Sequence, residues 1–259
     1  MTFISVDVES SGVARVREYE LEEARQLQRA MVPEEPLHDH TVEIANQFRP
    51  VTTVGGDFLD YFHLSDCTLG IYLGDVVGKG LPAALYAALV VGTLRGINKT
   101  GEHPSAVLEM LNKRLYMRTI RERYCAVQYA TYDPDTTLFR YSNAGLPGPL
   151  HLTARGCDVL SEGGIPAGMF PDVGYQEHTL RVDPGDSVLF ITDGITDAQD
   201  SQGQQFGIER LAEVCSKLRA ESAPSLLGRI FAELDRFVAG YPQYDDMAAA
   251  VLKFDPSPK

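Results

Sequence analysis

The alternation of hydrophobic and polar positions divides the chain into a polar helical segment and a longer domain of strands and helices. Residues 15–32 are predicted as a helix, because charged side chains of opposite sign lie at helical spacing and the few apolar residues are spread along it. From His40 apolar and polar residues alternate, which predicts a half-buried strand. Two apolar-rich runs, residues 58–64 and 69–73, flank a polar turn and predict a hairpin.

The remaining chain continues this mixture of hairpins and helices. Apolar helices are predicted to begin at Pro82 and Pro104, where a proline in the first turn is tolerated. The further predicted strands are residues 124–132, 138–143, 149–153, 157–160, 176–182, 187–192 and 247–254, and the further helices are residues 206–218 and 225–239. Hairpins without regular strand–helix alternation predict an α+β fold with antiparallel sheets.

These patterns suggest one main domain with an appended helix. The predicted divisions are an N-terminal tail (residues 1–14), a connector helix (15–35), the main domain (36–255) and a C-terminal tail (256–259).

Composition narrows the functional class. The 259 residues are 44% hydrophobic and 23% charged, which is ordinary for a globular protein with a core of its own. The formal net charge of −13 argues against binding to nucleic acid or to an anionic membrane surface.

Cysteine spacing and the N-terminus predict a reducing, cytoplasmic setting. The four cysteines form no Cys-x-x-Cys pair, so zinc-ribbon and dithiol motifs are not expected. The first residues lack a basic region followed by an apolar run, and no stretch approaches the ~18 apolar residues of a membrane span. We therefore expect a soluble protein that does not enter a membrane.

The candidate chemistry begins with two carboxylates on the first predicted hairpin. Asp57 precedes its first strand and Asp75 follows its second strand, each next to glycine. Because the two residues are about equally far from the turn, they should reach the same open end of the hairpin. Carboxylates at such an edge suit a hard metal ion.

Two further aspartates are predicted at a strand end of the same kind. Asp193 follows the apolar run SVLFIT, and Asp245 and Asp246 precede MAAAVLKF. If these strands are antiparallel neighbours, Asp193 and Asp245 meet at one edge. A single Asp-Gly is most often a turn, but four aspartates at strand ends predict an oxygen-only site for Mg²⁺ or Mn²⁺.

Four sequence blocks give this pattern a family resemblance. VGGDF, GDVVGKG, the block from Gly163 to Leu211, and YDDMAAAVLKF occur in this order. Together they resemble the metal-dependent serine/threonine protein phosphatases (the PPM, or type 2C, superfamily), in particular the bacterial SpoIIE-like branch that regulates sigma factors. The resemblance extends over nearly the whole chain from Leu21.

The resemblance implies two antiparallel β-sheets packed as a sandwich between outer helices, a four-layer αββα architecture. It also implies two Mn²⁺ or Mg²⁺ ions. Asp57 would bind one ion, Asp75 both, and Asp193 and Asp245 the other, with the main-chain carbonyl of Val76 as a further ligand. A water bridging the ions would attack a phosphoserine or phosphothreonine of a protein substrate, such as an anti-sigma-factor antagonist.

Several residues depart from the family pattern. Val77 replaces a general-acid histidine of many relatives, and Leu146 replaces a histidine common in this branch. Thr52 or Thr53 stands where relatives often have a basic residue, and Ala248 stands where Thr or Ser is usual. Asp246 is the less favoured of the adjacent acids as a ligand. No departure removes a predicted metal ligand.

Two other functions compete with the phosphatase interpretation. A catalytically weak relative could serve as an interaction module with the same fold. A nucleotidyl cyclase is suggested by Gly55-Gly56-Asp57-Phe58, which resembles a diguanylate cyclase signature, but the Glu-Phe that should follow is missing.

Regulation is predicted to involve the helix before the domain. ARQLQRAMVPEEP resembles the connector that joins an upstream sensor to this type of domain. The connector would pair with a second copy of itself or pack on the helix that follows Gly80; a solvated lead-in helix is the alternative.

Overall fold

Two antiparallel β-sheets stacked face to face form the centre of the fold. The computed structural model describes residues 8–64, 68–97, 103–117, 123–160 and 163–254. The strands are β1 (Leu37–His38), β2 (Val42–Arg49), β3 (Phe58–His63), β4 (Leu69–Val76), β5 (Cys125–Asp133), β6 (Leu138–Ala144), β7 (Leu150–Thr153), β8 (Gly156–Val159), β9 (Glu177–Arg181), β10 (Ser187–Ile191) and β11 (Met247–Phe254). One sheet has the order β1-β2-β11-β10-β7-β8, and the other β3-β4-β5-β6-β9.

Helices cover the outer faces of both sheets. They are α1 (Val8–Arg29), α2 (Gly80–Ile97), α3 (Pro104–Met117), α4 (Asp193–Thr196), α5 (Ile208–Leu218) and α6 (Ala223–Val238). The apolar faces of α2 and α3 pack on the five-stranded sheet, and those of α5 and α6 pack on the six-stranded sheet. Ser222 caps α6 by accepting a hydrogen bond from the Ser225 amide at 3.4 Å.

A third apolar cluster lies between the sheets and completes four layers. It joins residues of both sheets, among them Leu73 and Phe139 on one side and Phe190 and Leu252 on the other. The central strand β10 is buried along its whole length, as its unbroken apolar run predicts. The predicted αββα architecture is therefore confirmed.

The structure differs from the sequence predictions at four points. The first helix begins at Val8, so residues 8–14 are helical and not a tail; Ser10, Ser11 and Gly12 are weak helix formers that hide this start. Strands β9 and β10 lie in different sheets, so the turn at Pro184 joins two layers instead of closing a hairpin. The one-turn helix α4 was not predicted.

The fourth change concerns α2. This helix is long and apolar enough to cross a membrane by length and composition alone, contrary to the expectation that no stretch approaches the length of a membrane span. Its buried residues, such as Val90 and Leu94, pack on the five-stranded sheet, as in a core helix. The helix predicted from Pro104 extends to about Ile120, and its last residues, 118–120, lie outside the described residues. The same holds for residues 65–67 of the predicted turn, residues 1–7 of the N-terminal tail and residues 256–259 of the C-terminal tail.

Candidate metal centre

The β3–β4 hairpin brings Asp57 and Asp75 together as predicted. Phe58 pairs with Gly74 across the two strands, so the next residue on each side, Asp57 and Asp75, leaves the hairpin at the same end. Their carboxyl groups lie close enough for each to shift the pKa of the other. Asp57 is 1% exposed, and Thr192 Oγ1 donates a hydrogen bond of 2.7 Å to Asp57 Oδ2.

The β10–β11 pair supplies the other two predicted aspartates. The strands are antiparallel, and the Thr192 amide still donates to the Ala248 carbonyl at 3.0 Å, just before Asp193. Asp193 and Asp245 consequently lie at the same sheet end, and both are close enough to Asp75 to raise the pKa of its carboxyl electrostatically. All four predicted aspartates therefore lie around one edge of the sandwich.

Asp246 has a different task from its neighbour Asp245. Its carboxylate accepts hydrogen bonds from the Val51 amide at 2.7 Å and the Gly56 amide at 2.6 Å. A Cβ on Gly55 would lie only 2.4 Å from Asp246 Oδ2, so the close approach of this loop requires glycine. Asp246 thus holds the backbone that leads into Asp57.

Burial and mutual repulsion raise the pKa of these carboxyls. The pKa of Asp57 is well above its ordinary value because the group is buried and lies beside Asp75. Burial, followed by the charge of Asp193, raises the pKa of Asp75 to about 7. Burial also raises the pKa of Asp193, with Asp197 and Asp245 adding to the shift. Such a cluster is stabilised by cations, and above all by divalent ones.

Two oxygen donors, the Val76 carbonyl and the Asp75 carboxylate, lie close together beside Gly56. Gly56 has no side chain, and a Cβ there would lie 2.9 Å from the Val76 carbonyl oxygen and 3.3 Å from Asp75 Oδ1. Arg123 Nη1 donates a hydrogen bond of 2.6 Å to the carbonyl of Val77, which fixes the backbone next to Val76. This donor set consists only of oxygens, as Mg²⁺ and Mn²⁺ prefer.

The carboxylates are near one another without forming a closed ligand cage. Within the described ranges, no three His, Cys, Asp or Glu side chains lie close enough together to hold a metal ion. Metal ligation by Asp57, Asp75, Asp193, Asp245 and the Val76 carbonyl stays a prediction that the donor chemistry fits.

An open cleft of about 500 Å³ adjoins the cluster on the side of Asp193. Its wall includes Leu146, one of the departures from the family pattern, whose backbone is held by the side chain of Asn143 through hydrogen bonds of 2.8 and 3.0 Å. Gln128 donates to the Pro147 carbonyl, while its Oε1 is buried without a hydrogen-bond partner. The remaining residues around the cleft are Gly145, Gly163, Gly164, Thr196, Asp197 and Ile208.

Three residues of this region were not recognised from the sequence. Thr192 looked like an ordinary strand end, and nothing in its surroundings indicates the bond to Asp57. Asp197 is expected from the sequence to be a turn or surface residue, although its position four residues after Asp193 is a helical spacing that could have placed both at the site. Gln28 of α1 is 5% exposed, and its amide exchanges hydrogen bonds of 2.6 and 2.9 Å with the Gly55 backbone.

Comparison with known proteins places this geometry in a family. Residues 65–255 match the SpoIIE family (Stage II sporulation protein E). The chain is 24% identical to the phosphoserine phosphatase RsbU of Bacillus subtilis, over 93% of this chain and 72% of RsbU. It is 28% identical to protein IcfG of Synechocystis sp., over 95% of this chain but only 42% of IcfG.

Solved structures show the same fold. The SiaA-PP2C domain of Pseudomonas aeruginosa superposes with a TM-score of 0.85 at 21% identity, over 94% of this chain and 99% of that domain. The catalytic domain of the phosphatase PstP, in complex with 2 manganese ions, gives a TM-score of 0.59 at 13% identity, over 83% and 99%. RsbX in complex with magnesium gives 0.66 at 14% identity, over 85% and 99%. The expected resemblance is confirmed: the chain belongs to the SpoIIE family and has the fold of the PP2C-type phosphatases.

Proposed function

We propose that this protein is a metal-dependent phosphatase that removes phosphate from phosphoserine or phosphothreonine of a protein substrate. The observation that supports this most directly is the meeting of Asp57, Asp75, Asp193 and Asp245 at one edge of the sandwich. Four carboxylates beside an open cleft, with the pKa values of Asp57, Asp75 and Asp193 raised, have no evident structural use, but they suit a pair of divalent cations.

The chain's own residues prepare this site before any substrate enters. Asp57 and Asp75 would hold one ion with the Val76 carbonyl, and Asp75, Asp193 and Asp245 the other. When bound, the ions neutralise phosphate oxygens and lower the pKa of a shared water. Thr192 and Asp246 would fix the orientation of Asp57 through the Thr192 hydroxyl and the Gly56 amide.

The cleft beside Asp193 would admit the phosphorylated side chain. Leu146 and Pro147 give this opening an apolar wall, while Asp193 and Asp197 form its acidic side. With the acidic side neutralised by cations, an anionic phosphoseryl group can approach although the protein itself is acidic.

The proposed substrate is a phosphorylated regulatory protein of the anti-sigma-factor-antagonist class. Two relatives, RsbU and RsbP of Bacillus subtilis, are phosphoserine phosphatases by name. The chain spans 72% of RsbU and 45% of RsbP, so these relatives contain further segments with which it does not align.

The proposed control element is α1. Gln28 attaches α1 to the Gly55 backbone, two residues before Asp57, while Tyr19 and Leu27 are 66% and 71% exposed. Exposed apolar residues on a helix anchored to the site would suit a second copy of α1 or an upstream sensor. Deletion of residues 1–32 should therefore change turnover or oligomeric state; unchanged turnover by a monomer would contradict this role.

The test is hydrolysis of p-nitrophenyl phosphate with and without Mn²⁺, compared between the wild type and Asp193→Ala. The proposal expects a Mn²⁺-dependent rate that falls at least about 100-fold in the variant. Asp158→Ala, which removes an exposed carboxylate on β8, is the matched control and should keep the wild-type rate. A wild-type rate no higher than that of Asp193→Ala would favour a non-catalytic interaction module. The cyclase alternative finds no support in the fold or in the family match.

A further inference from the structure

A lysine side chain lies directly on one of the proposed metal ligands. Lys79 Nζ is 3.0 Å from Asp245 Oδ2. The same ammonium group donates to the carbonyl of Tyr244 and lies 3.8 Å from the centre of the Tyr244 ring. The loop that carries Lys79 leads from Asp75, through Gly78, to the start of α2.

The backbone on both sides of Lys79 has positive φ angles. Gly78 and Gly80 have φ angles of +98° and +68°, a region that glycine enters without the strain other residues meet. This path lets the side chain turn back from the end of β4 towards the start of β11. Lys79 thus joins the loop after Asp75 to the segment that contains Asp245.

The ion pair between Lys79 and Asp245 is weak enough for a metal ion to replace the lysine. Each of the two side chains is 35% exposed, and pairs of this exposure contribute little net stability. A divalent cation, which carries twice the charge, can therefore displace the ammonium group from Asp245. The Tyr244 carbonyl and ring would still hold the displaced ammonium group.

Among the four proposed ligands, the described ion pairs assign a lysine or arginine partner to Asp245 alone. Asp57 lies next to Asp75, and Asp193 lies near Asp197, so the nearest charged neighbours of these carboxyls are other carboxyls. The pair with Lys79 therefore affects one side of the centre, the side formed by Asp193 and Asp245.

We propose that Lys79 is a resident counter-cation of Asp245 that competes with the second divalent ion and sets the affinity of that ion. This proposal rests on the proposed metal centre. It gives Lys79 a role in metal loading that is separate from the chemistry of hydrolysis, and it places that role in the loop connected to α2.

The test is calorimetric titration of Mn²⁺ into the full chain, at constant pH, for the wild type, Lys79→Met and Lys79→Arg. Without the competing charge, Lys79→Met should bind the weaker Mn²⁺ ion about three- to tenfold more tightly. Lys79→Arg keeps the charge and should bind within about twofold of the wild type. Lys113→Met, on the exposed face of α3, controls for loss of a positive charge elsewhere.

Three results of this titration would contradict the proposed role of Lys79. Equal or weaker Mn²⁺ binding by Lys79→Met, in a chain that still unfolds cooperatively, would overturn the role of Lys79 and leave the metal centre standing. Tighter binding by Lys113→Met to the same extent would also overturn it, because a general charge effect would then explain the result. If neither the wild type nor Lys79→Met binds two ions, the metal centre and the role of Lys79 fail together.

Discussion

Replacing Asp75 with Asn should stabilise the metal-free protein while abolishing its response to metal. Asp75 is the proposed ligand of both ions, and its carboxyl is mostly buried beside Asp57 and near Asp193. Asn has nearly the same shape, can donate a hydrogen bond to the carboxylate of Asp57, and carries no charge. The substitution therefore removes repulsion without leaving a cavity.

The size of the effect follows from the pKa of Asp75, which is about 7 in the folded protein against an ordinary value of 3.8. Between these values the folded protein keeps a proton that the unfolded chain has released, so stability falls as pH rises through this window. Above it, at about pH 8, the ionised carboxylate lowers the free energy of unfolding by up to about 4 kcal/mol. We expect Asp75→Asn to recover about 2–4 kcal/mol at this pH and roughly half as much near pH 5.5.

Urea unfolding in the presence of EDTA, at these two pH values, measures the prediction. Added Mn²⁺ should raise the unfolding midpoint of the wild type strongly and that of Asp75→Asn little, because ligands that bind only the folded state stabilise it. If Asp75→Asn is less stable than the wild type in EDTA near pH 8, the account of a repulsive, cation-seeking cluster is wrong.

Three further substitutions test the supports of Asp57. Thr192→Val removes the hydroxyl that donates to Asp57 and should lower the free energy of unfolding by about 1–3 kcal/mol; a urea midpoint equal to that of the wild type would contradict this. Gln28→Ala removes two hydrogen bonds to the Gly55 backbone, so limited proteolysis should cleave α1 faster than in the wild type, and an unchanged rate would speak against the attachment. Gly55→Ala places a Cβ 2.4 Å from Asp246 and should weaken Mn²⁺ binding at least about tenfold in calorimetry; binding within about twofold of the wild type would contradict the role of this close approach in positioning Asp57.

Much of the fold could be predicted from the sequence because its elements have strong local signals. The alternation in β2, the unbroken apolar run of β10 and the apolar helices after Pro82 and Pro104 are confirmed within a few residues. The partner sheet of each strand was harder to predict. Nothing near Pro184 indicates that the chain changes sheets there, because sheet membership depends on long-range pairing with β6 and β11.

In the candidate site, too, the features that depend on local sequence could be predicted and the long-range contacts could not. Asp57 and Asp75 could be placed together because a hairpin is local, and Asp193 and Asp245 because each borders an apolar strand. The contacts of Thr192 and Gln28 could not be predicted, since each depends on a partner more than twenty residues away in the chain. Their residue types are common at strand ends and in polar helices.

The measurement that tests the central claim most directly is a crystal structure grown with Mn²⁺, with anomalous diffraction recorded at the manganese absorption edge. The account predicts two anomalous peaks ~3.5–4 Å apart on either side of Asp75, one next to Asp57 and one between Asp193 and Asp245. Two peaks located elsewhere, or no peak at this edge of the sandwich at saturating Mn²⁺, would contradict it.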